Sequence, residues 1–203
     1  MTNNNSTSFA HSTLILIRGL PGSGKSYLTT NLEKQILKSY GENTVVVLDP
    51  DATNYDNEEY QNLCKSLTEQ GVDKKFYPYR FLRLRAHMAI REHKIIIWNQ
   101  PFTHLDGFRK TIINLQNFAD EVGIPLHIMI VEVNVASGVA EKRISERVEN
   151  GGHGPSDSTF SRFKNEYRSF ADEGHRTVVV QGEKDISIST QSIMNNLNKI
   201  TKK

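Results

Sequence analysis

The sequence predicts a three-layer α/β sandwich around a parallel sheet of five strands, with residues 13–203 forming one domain. Three observations predict it. Five short apolar runs, rich in Val and Ile and mostly without polar alternation, punctuate the 203 residues; such runs mark strands buried on both faces, as parallel strands are. Apolar residues at helical spacing lie between the runs, so strand and helix alternate. A glycine-rich segment joins the first run to the first helical stripe.

The elements follow in order. Residues 1–12 are polar and rich in Asn, Ser and Thr, and are expected to be a disordered tail. They have neither the basic nor the apolar region of a signal peptide. Thr13–Arg18 (TLILIR) is the first strand. Leu28, Leu32 and Ile36 repeat every four residues, and Gly41 marks a helix stop. Thr44–Asp49 is the second strand, and Tyr77, Phe81, Leu84 and Met88 make the next helical stripe. Lys94–Trp98 is the third strand. Phe108, Ile112, Leu115, Phe118 and Val122 make a helix closed by Gly123 and Pro125. Leu126–Val133 is the fourth strand, and Ala136, Ala140, Ile144 and Val148 define the helix after it. Thr177–Gln181 is the fifth strand, and Ile193, Leu197 and Ile200 end the chain on a helix. No internal repeat and no linker divides it.

Composition narrows the function classes. At 37% hydrophobic and 24% charged, the chain is globular rather than disordered. A formal net charge of +2 lacks the basic excess of a dedicated nucleic-acid binder. The single cysteine, Cys64, forbids an internal disulfide and suits a cytoplasmic setting; it reads as a small buried hydrophobe. No apolar run approaches membrane-spanning length.

The decisive stretch is Gly19-Leu20-Pro21-Gly22-Ser23-Gly24-Lys25-Ser26, which fits G-x-x-x-x-G-K-[ST] between a strand and a helix. Glycines let backbone N–H groups converge on phosphate oxygens. The helix that follows points its positive end at the same anion. In such a cradle Lys25 reaches the β- and γ-phosphates and the Ser26 hydroxyl ligates Mg²⁺. The expected ligands are therefore ATP and Mg²⁺.

Two further segments specify the chemistry. The second strand ends in Asp49-Pro50-Asp51, at the sheet edge where ligands bind. Asp51 is the candidate general base for an attacking hydroxyl, with an N-cap or turn role as the structural alternative. Asp49 reads equally as a partner of Mg²⁺-bound water or as a structural residue. Arg143 and Arg147, four apart beside the stripe of Ala140, Ile144 and Val148, are placed to reach outward to a migrating phosphoryl group. Glycines 151, 152 and 154 then suggest a mobile loop. The third strand runs into Asn99-Gln100 instead of the acid of motor ATPases, and no N-K-x-D guanine signature occurs.

Together, GLPGSGKS, LDPDATN and R-x-x-x-R-V-x-x-GGH-x-P resemble the zeta toxin and polynucleotide-kinase-like branch of P-loop kinases, from about Thr13 to Tyr167. The resemblance implies a lid between the fourth and fifth strands and ATP as donor. It implies Lys25 on the phosphates, Asp51 as base, Ser26 at Mg²⁺, and Arg143 and Arg147 as lid arginines. Zeta toxins phosphorylate UDP-N-acetylglucosamine, so the resemblance implies a small-molecule acceptor such as a nucleotide sugar, with an antitoxin protein as a partner. Related kinases act on nucleic-acid 5′-hydroxyls, which the near-zero net charge makes the second choice. The family has Arg or Lys where this chain has Asn54, and an acid or Glu-Gly-Thr-like stretch where it has Trp98-Asn99-Gln100-Pro101. These departures leave a nucleotide-binding regulatory module with little catalysis as the alternative.

On the acceptor side, Asn54, Asn99, Gln100, Arg80 and Arg83 are the candidates. Arg80, Arg83, His87 and Arg91 share one helical face, which reads either as an acceptor-binding surface or as a solvated one. His153 is a lid contact or a turn residue. Trp98 is core or a stacking wall.

Overall fold

The computed structural model describes residues 9–152 and 154–201. Five parallel strands, β1 (Ser12–Arg18), β2 (Val45–Leu48), β3 (Ile95–Asn99), β4 (Leu126–Asn134) and β5 (Arg176–Gln181), form a sheet in the order β2-β3-β1-β4-β5. The alternation of strand side chains sorts the core into two layers. Ile15, Ile17, Ile97, Met129 and Val131 point to the face covered by α1 (Lys25–Tyr40) and α7 (Ile186–Thr201). Leu14, Leu16, Ile96, Trp98 and Ile130 point to the face covered by α3 (Tyr77–Arg91) and α4 (Leu105–Glu121). The expected three-layer α/β architecture is present. Cys64 is half-buried rather than buried, on α2 (Glu58–Glu69).

The strand order puts β1 between β3 and β4. The segments that follow these strands therefore meet at one sheet edge, and that is where the site assembles. Beside it, α5 (Ser137–Glu149) and α6 (Asp157–Glu166) join β4 to β5 and carry a small core of their own. Ala140, Ile144 and Phe160 pack there with Leu20 and Val135, so the lid segment rests on the glycine-rich loop.

Three further sequence expectations are corrected, and two helices outside those expectations are present. Phe9, His11 and Ser12 are buried, with the Phe9 ring edge-on to Tyr40 at 5.3 Å, so packed structure reaches back at least to Phe9. On α3, Leu84 and Met88 are exposed, and the inward face is Leu82, Ala86, Ala89 and Ile90. Small alanines there let the helix lie close to the sheet. Val148, at the far end of the α5 stripe, is also exposed. Finally, α2 and α6 each bury a single apolar residue, Leu67 and Phe160, too few to leave a periodic signature. Side-chain caps mark their starts instead: Asn57 accepts from the Tyr60 N–H and Ser156 from the Thr159 N–H.

Candidate active site

Helix α1 begins at Lys25 without a side-chain cap, its N-cap Gly24 held at φ 96°. Its first N–H groups thus remain available to an anion. Gly22 adopts φ 79°, and a Cβ there would lie 2.5 Å from the Ala140 carbonyl oxygen; a side chain is excluded both by conformation and by the approach of α5. The Lys25 Nζ donates to the Leu20 carbonyl at 3.0 Å, across its own loop. Burial pushes the Lys25 ammonium down to about 8, against the pull of Asp49 and then Asp51, while Arg147 pushes it further down. Lys25, both aspartates and Arg147 therefore share one electrostatic field.

The loop after β2 is built on Asp49. Its Oδ1 accepts from the Asp51 N–H at 2.9 Å, and its backbone carbonyl accepts from the Thr53 hydroxyl at 2.6 Å. This turn presents Asp51 outward, exposed, with its carboxylate making no hydrogen bond or ion pair among the described residues. Asp49 itself is 9% exposed. Its Oδ2 accepts from Asn99 Nδ2 at 2.6 Å, and the same nitrogen lies 3.3 Å from Ser26 Oγ. Asn99 thus joins the ends of β2 and β3 to the head of α1.

The two lid arginines differ. Arg143 Nη1 donates to the Gly22 carbonyl at 3.4 Å and Nη2 to the Gly182 carbonyl at 3.0 Å, tying α5 to the glycine-rich loop and to the turn after β5. Arg147 is exposed and has no acidic partner among the described residues. The three glycines that follow are exposed; a Cβ on Gly152 would lie 2.7 Å from Arg147 Cγ and one on Gly154 2.9 Å from Ile144 Cγ2, whereas one on Gly151 would meet nothing within 4 Å. His153 lies outside the described residues.

The acceptor-side expectations divide. Asn54 is exposed, and its Oδ1 accepts from the Asp56 N–H at 2.9 Å, a local turn bond. Gln100 Oε1 accepts from Trp98 Nε1 at 3.1 Å, and Trp98 is core. Asn99 faces Ser26 and Asp49. Of the basic face of α3, His87 stacks on Phe118 at 3.9 Å and bonds Asn114, with Arg91 over the same Phe118 ring; these hold α3 to α4. Arg83 is half-buried, and burial first and the Arg80 charge second lower its affinity for its proton. Neither arginine has an acidic partner among the described residues. Arg80 and Arg83 lie on the turns of α3 toward the sheet edge that carries Asp51, because α3 runs back to the start of β3.

One cluster was not anticipated. Arg18, the last residue of β1, is fully buried and pairs with Glu132 of β4 at 2.6 Å. Its Nε and Nη2 donate to the Phe102 carbonyl at 3.3 and 3.2 Å, at a residue held at φ 44°. The guanidinium lies between the rings of Tyr167 and Phe170, at 4.3 and 3.6 Å. Glu132 also accepts from the Ser169 hydroxyl and the Phe170 N–H. A charge ending the first strand and another in the fourth were the signal.

A family model described as AAA domain matches residues 14–172. Curated proteins give no match. Among solved structures, a protein from Chloroflexus aurantiacus J-10-fl aligns at TM-score 0.62 and 17% identity, over 93% of this chain and 97% of that one. A gluconokinase from Sinorhizobium meliloti 1021 aligns at TM-score 0.55 and 15% identity, over 97% and 96%. The tunicamycin resistance protein of Deinococcus radiodurans aligns at TM-score 0.54 and 15% identity, over 92% and 95%. At these identities the likeness is one of fold.

Proposed function

The chain belongs to the AAA domain family, and on that premise we propose that it is a P-loop kinase moving the γ-phosphate of ATP to a hydroxyl of a small molecule. One observation carries the reading: a bare helix N-terminus and Lys25 face two strand-end aspartates, one bound into the site and one left free. The gluconokinase among the fold relatives supports a hydroxyl acceptor.

Each residue then has a role. The backbone of Gly19–Ser26 and the head of α1 hold the phosphates. Lys25 leaves the Leu20 carbonyl and balances the β- and γ-phosphate charge. The Ser26 hydroxyl and the Asp49 carboxylate suit a hydrated Mg²⁺, a fit supported by the neighbouring Asn99 Oδ1, which is buried without a partner. When bound there, Mg²⁺ would offset the negative charge of the phosphates. Asp51 accepts the proton of the attacking hydroxyl and orients it. Arg147, not Arg143, reaches the migrating phosphoryl group, because Arg143 is committed to two carbonyls.

Arg80 and Arg83, a cationic pair without acidic partners among the described residues, suit an acceptor that carries its own phosphate. A nucleotide sugar such as UDP-N-acetylglucosamine meets that requirement and agrees with the zeta-toxin-like motifs; a nucleic-acid 5′ end is the other phosphate-bearing candidate. A single domain acting in the cytoplasm, with an antitoxin as partner, completes the reading. Among the described residues no helix is long and apolar enough to cross a membrane.

The test is ³¹P NMR of the protein with Mg-ATP and a panel of acceptors, with Lys25→Ala as control. A new phosphomonoester signal that the variant lacks supports the kinase and names its acceptor class. ATP left intact with every acceptor, despite measured binding, favours a regulatory nucleotide-binding module.

A further inference from the structure

Asn99 closes the third strand, where a carboxylate would otherwise stand. It is 4% exposed. Its Nδ2 donates to Asp49 Oδ2 at 2.6 Å and lies 3.3 Å from Ser26 Oγ. The carboxylate fixes the orientation of the amide, since turning it over would set Oδ1 against Asp49. That leaves Oδ1 buried and without a hydrogen-bond partner among the described residues. A buried acceptor of this kind costs about 1–3 kcal/mol unless something donates to it. The donor half of the amide is accounted for by Asp49; no contact among the described residues accounts for the acceptor half.

We propose that Asn99 is a positioning residue for the divalent cation that accompanies the nucleotide. Its amide N–H group holds Asp49 and the Ser26 hydroxyl in register, and its Oδ1 accepts from a water of the cation's hydration shell. The inference rests on the Mg-nucleotide reading given above, but not on phosphoryl transfer.

Charge gives the arrangement its consequence. Ser26, Asp49 and Asn99 bring one negative charge to the site, where an acid at position 99 would bring two. Among the described residues no group of three His, Cys, Asp or Glu could hold a metal ion. The protein therefore has little affinity for the cation alone, and the cation enters with the phosphates. A second carboxylate within hydrogen-bonding distance of Asp49 would reverse this, creating a cation site in the free protein.

The experiment is titration calorimetry of ADP with and without Mg²⁺, together with Mn²⁺ binding followed by electron paramagnetic resonance. Wild-type protein, Asn99→Leu, Asn99→Ser and Asn99→Asp are compared. The wild type is expected to bind ADP more tightly with Mg²⁺ and to bind Mn²⁺ weakly without nucleotide. Asn99→Leu should lose about 10- to 100-fold of the metal-dependent gain, a loss read as the ratio of ADP affinities with and without Mg²⁺, so that any change in metal-free affinity cancels. Asn99→Ser carries the same expectation if the leucine variant does not fold. Asn99→Asp should bind Mn²⁺ without nucleotide at least about tenfold more tightly than the wild type. A metal-dependent gain undiminished in Leu or Ser, or Mn²⁺ affinity unchanged in Asp, would overturn the proposal. Metal-nucleotide binding without turnover would leave it standing while the kinase reading failed.

Discussion

Arg18 and Glu132 stand opposite each other in the register of β1 and β4, their side chains 2.6 Å apart and shut off from solvent. Two charges in a dry interior are costly unless their remaining groups are satisfied. Here the Phe102 carbonyl, the Ser169 hydroxyl and the Phe170 N–H complete the set. The pair thereby ties the strand before the phosphate cradle to the segment after α6.

Removing one partner leaves the other charge buried and uncompensated. Glu132→Ala should cost about 3–5 kcal/mol in urea unfolding, whereas the paired replacement Arg18→Met with Glu132→Leu should cost clearly less. A single-variant loss under about 1 kcal/mol, the scale of an exposed pair, would show that the buried pair contributes little.

Asp51→Asn should retain ATP affinity and lose about 10²- to 10⁴-fold in turnover, the usual effect of deleting a general base. Its carboxylate is exposed and unbonded among the described residues, so the fold should be indifferent. Turnover within a factor of a few of the wild type would remove Asp51 from that role.

The two lid arginines should separate in kinetics. Arg143 bonds the Gly22 and Gly182 carbonyls, so Arg143→Ala should weaken nucleotide binding and lower the melting temperature. Arg147 makes no such bonds, and Arg147→Ala should lower kcat with little change in either. The reverse assignment would follow if Arg147→Ala raised KM alone.

Glycines within the same lid should respond in opposite directions. A Cβ at Gly138, in α5, meets nothing within 4 Å, so Gly138→Ala should stabilise by about 0.5–1 kcal/mol. Gly152→Ala sets its Cβ 3.0 Å from the Arg147 carbonyl oxygen as well as against Cγ, and should destabilise and lower kcat by displacing Arg147. Thermal melts and turnover of the two variants check this.

Lys25 makes nucleotide binding depend on pH. Burial first lowers its affinity for a proton, from the ordinary 10.5 to about 8, and phosphates would raise it again. At pH 8 the free site is about half protonated and the loaded site fully so; binding should take up about half a proton. At pH 6.5 both are protonated and uptake should vanish, while affinity falls as pH rises above 8. Calorimetry in buffers of different ionisation enthalpy reads the uptake, and none at pH 8 would contradict the assignment.

The amino-acid sequence by itself determined the layered fold, the cradle from Gly19 to Ser26 and the placement of Asp49 and Asp51 at a strand end. These rest on local patterns: apolar runs of strand length, helical periodicity and glycine spacing. The polar helices α2 and α6 and the true inward face of α3 were hidden, because few apolar residues, or small ones, mark them. Only the tertiary structure decided which polar groups are spent on one another. Asn54 bonds its own turn, Gln100 serves Trp98, Arg143 serves two carbonyls and Asn99 turns to Asp49. The bonds of Arg143 and Asn99 join residues far apart in the chain, those of Asn54 and Gln100 close a local turn or strand exit, and all of them depend on distances of a few tenths of an ångström that no one-dimensional pattern encodes.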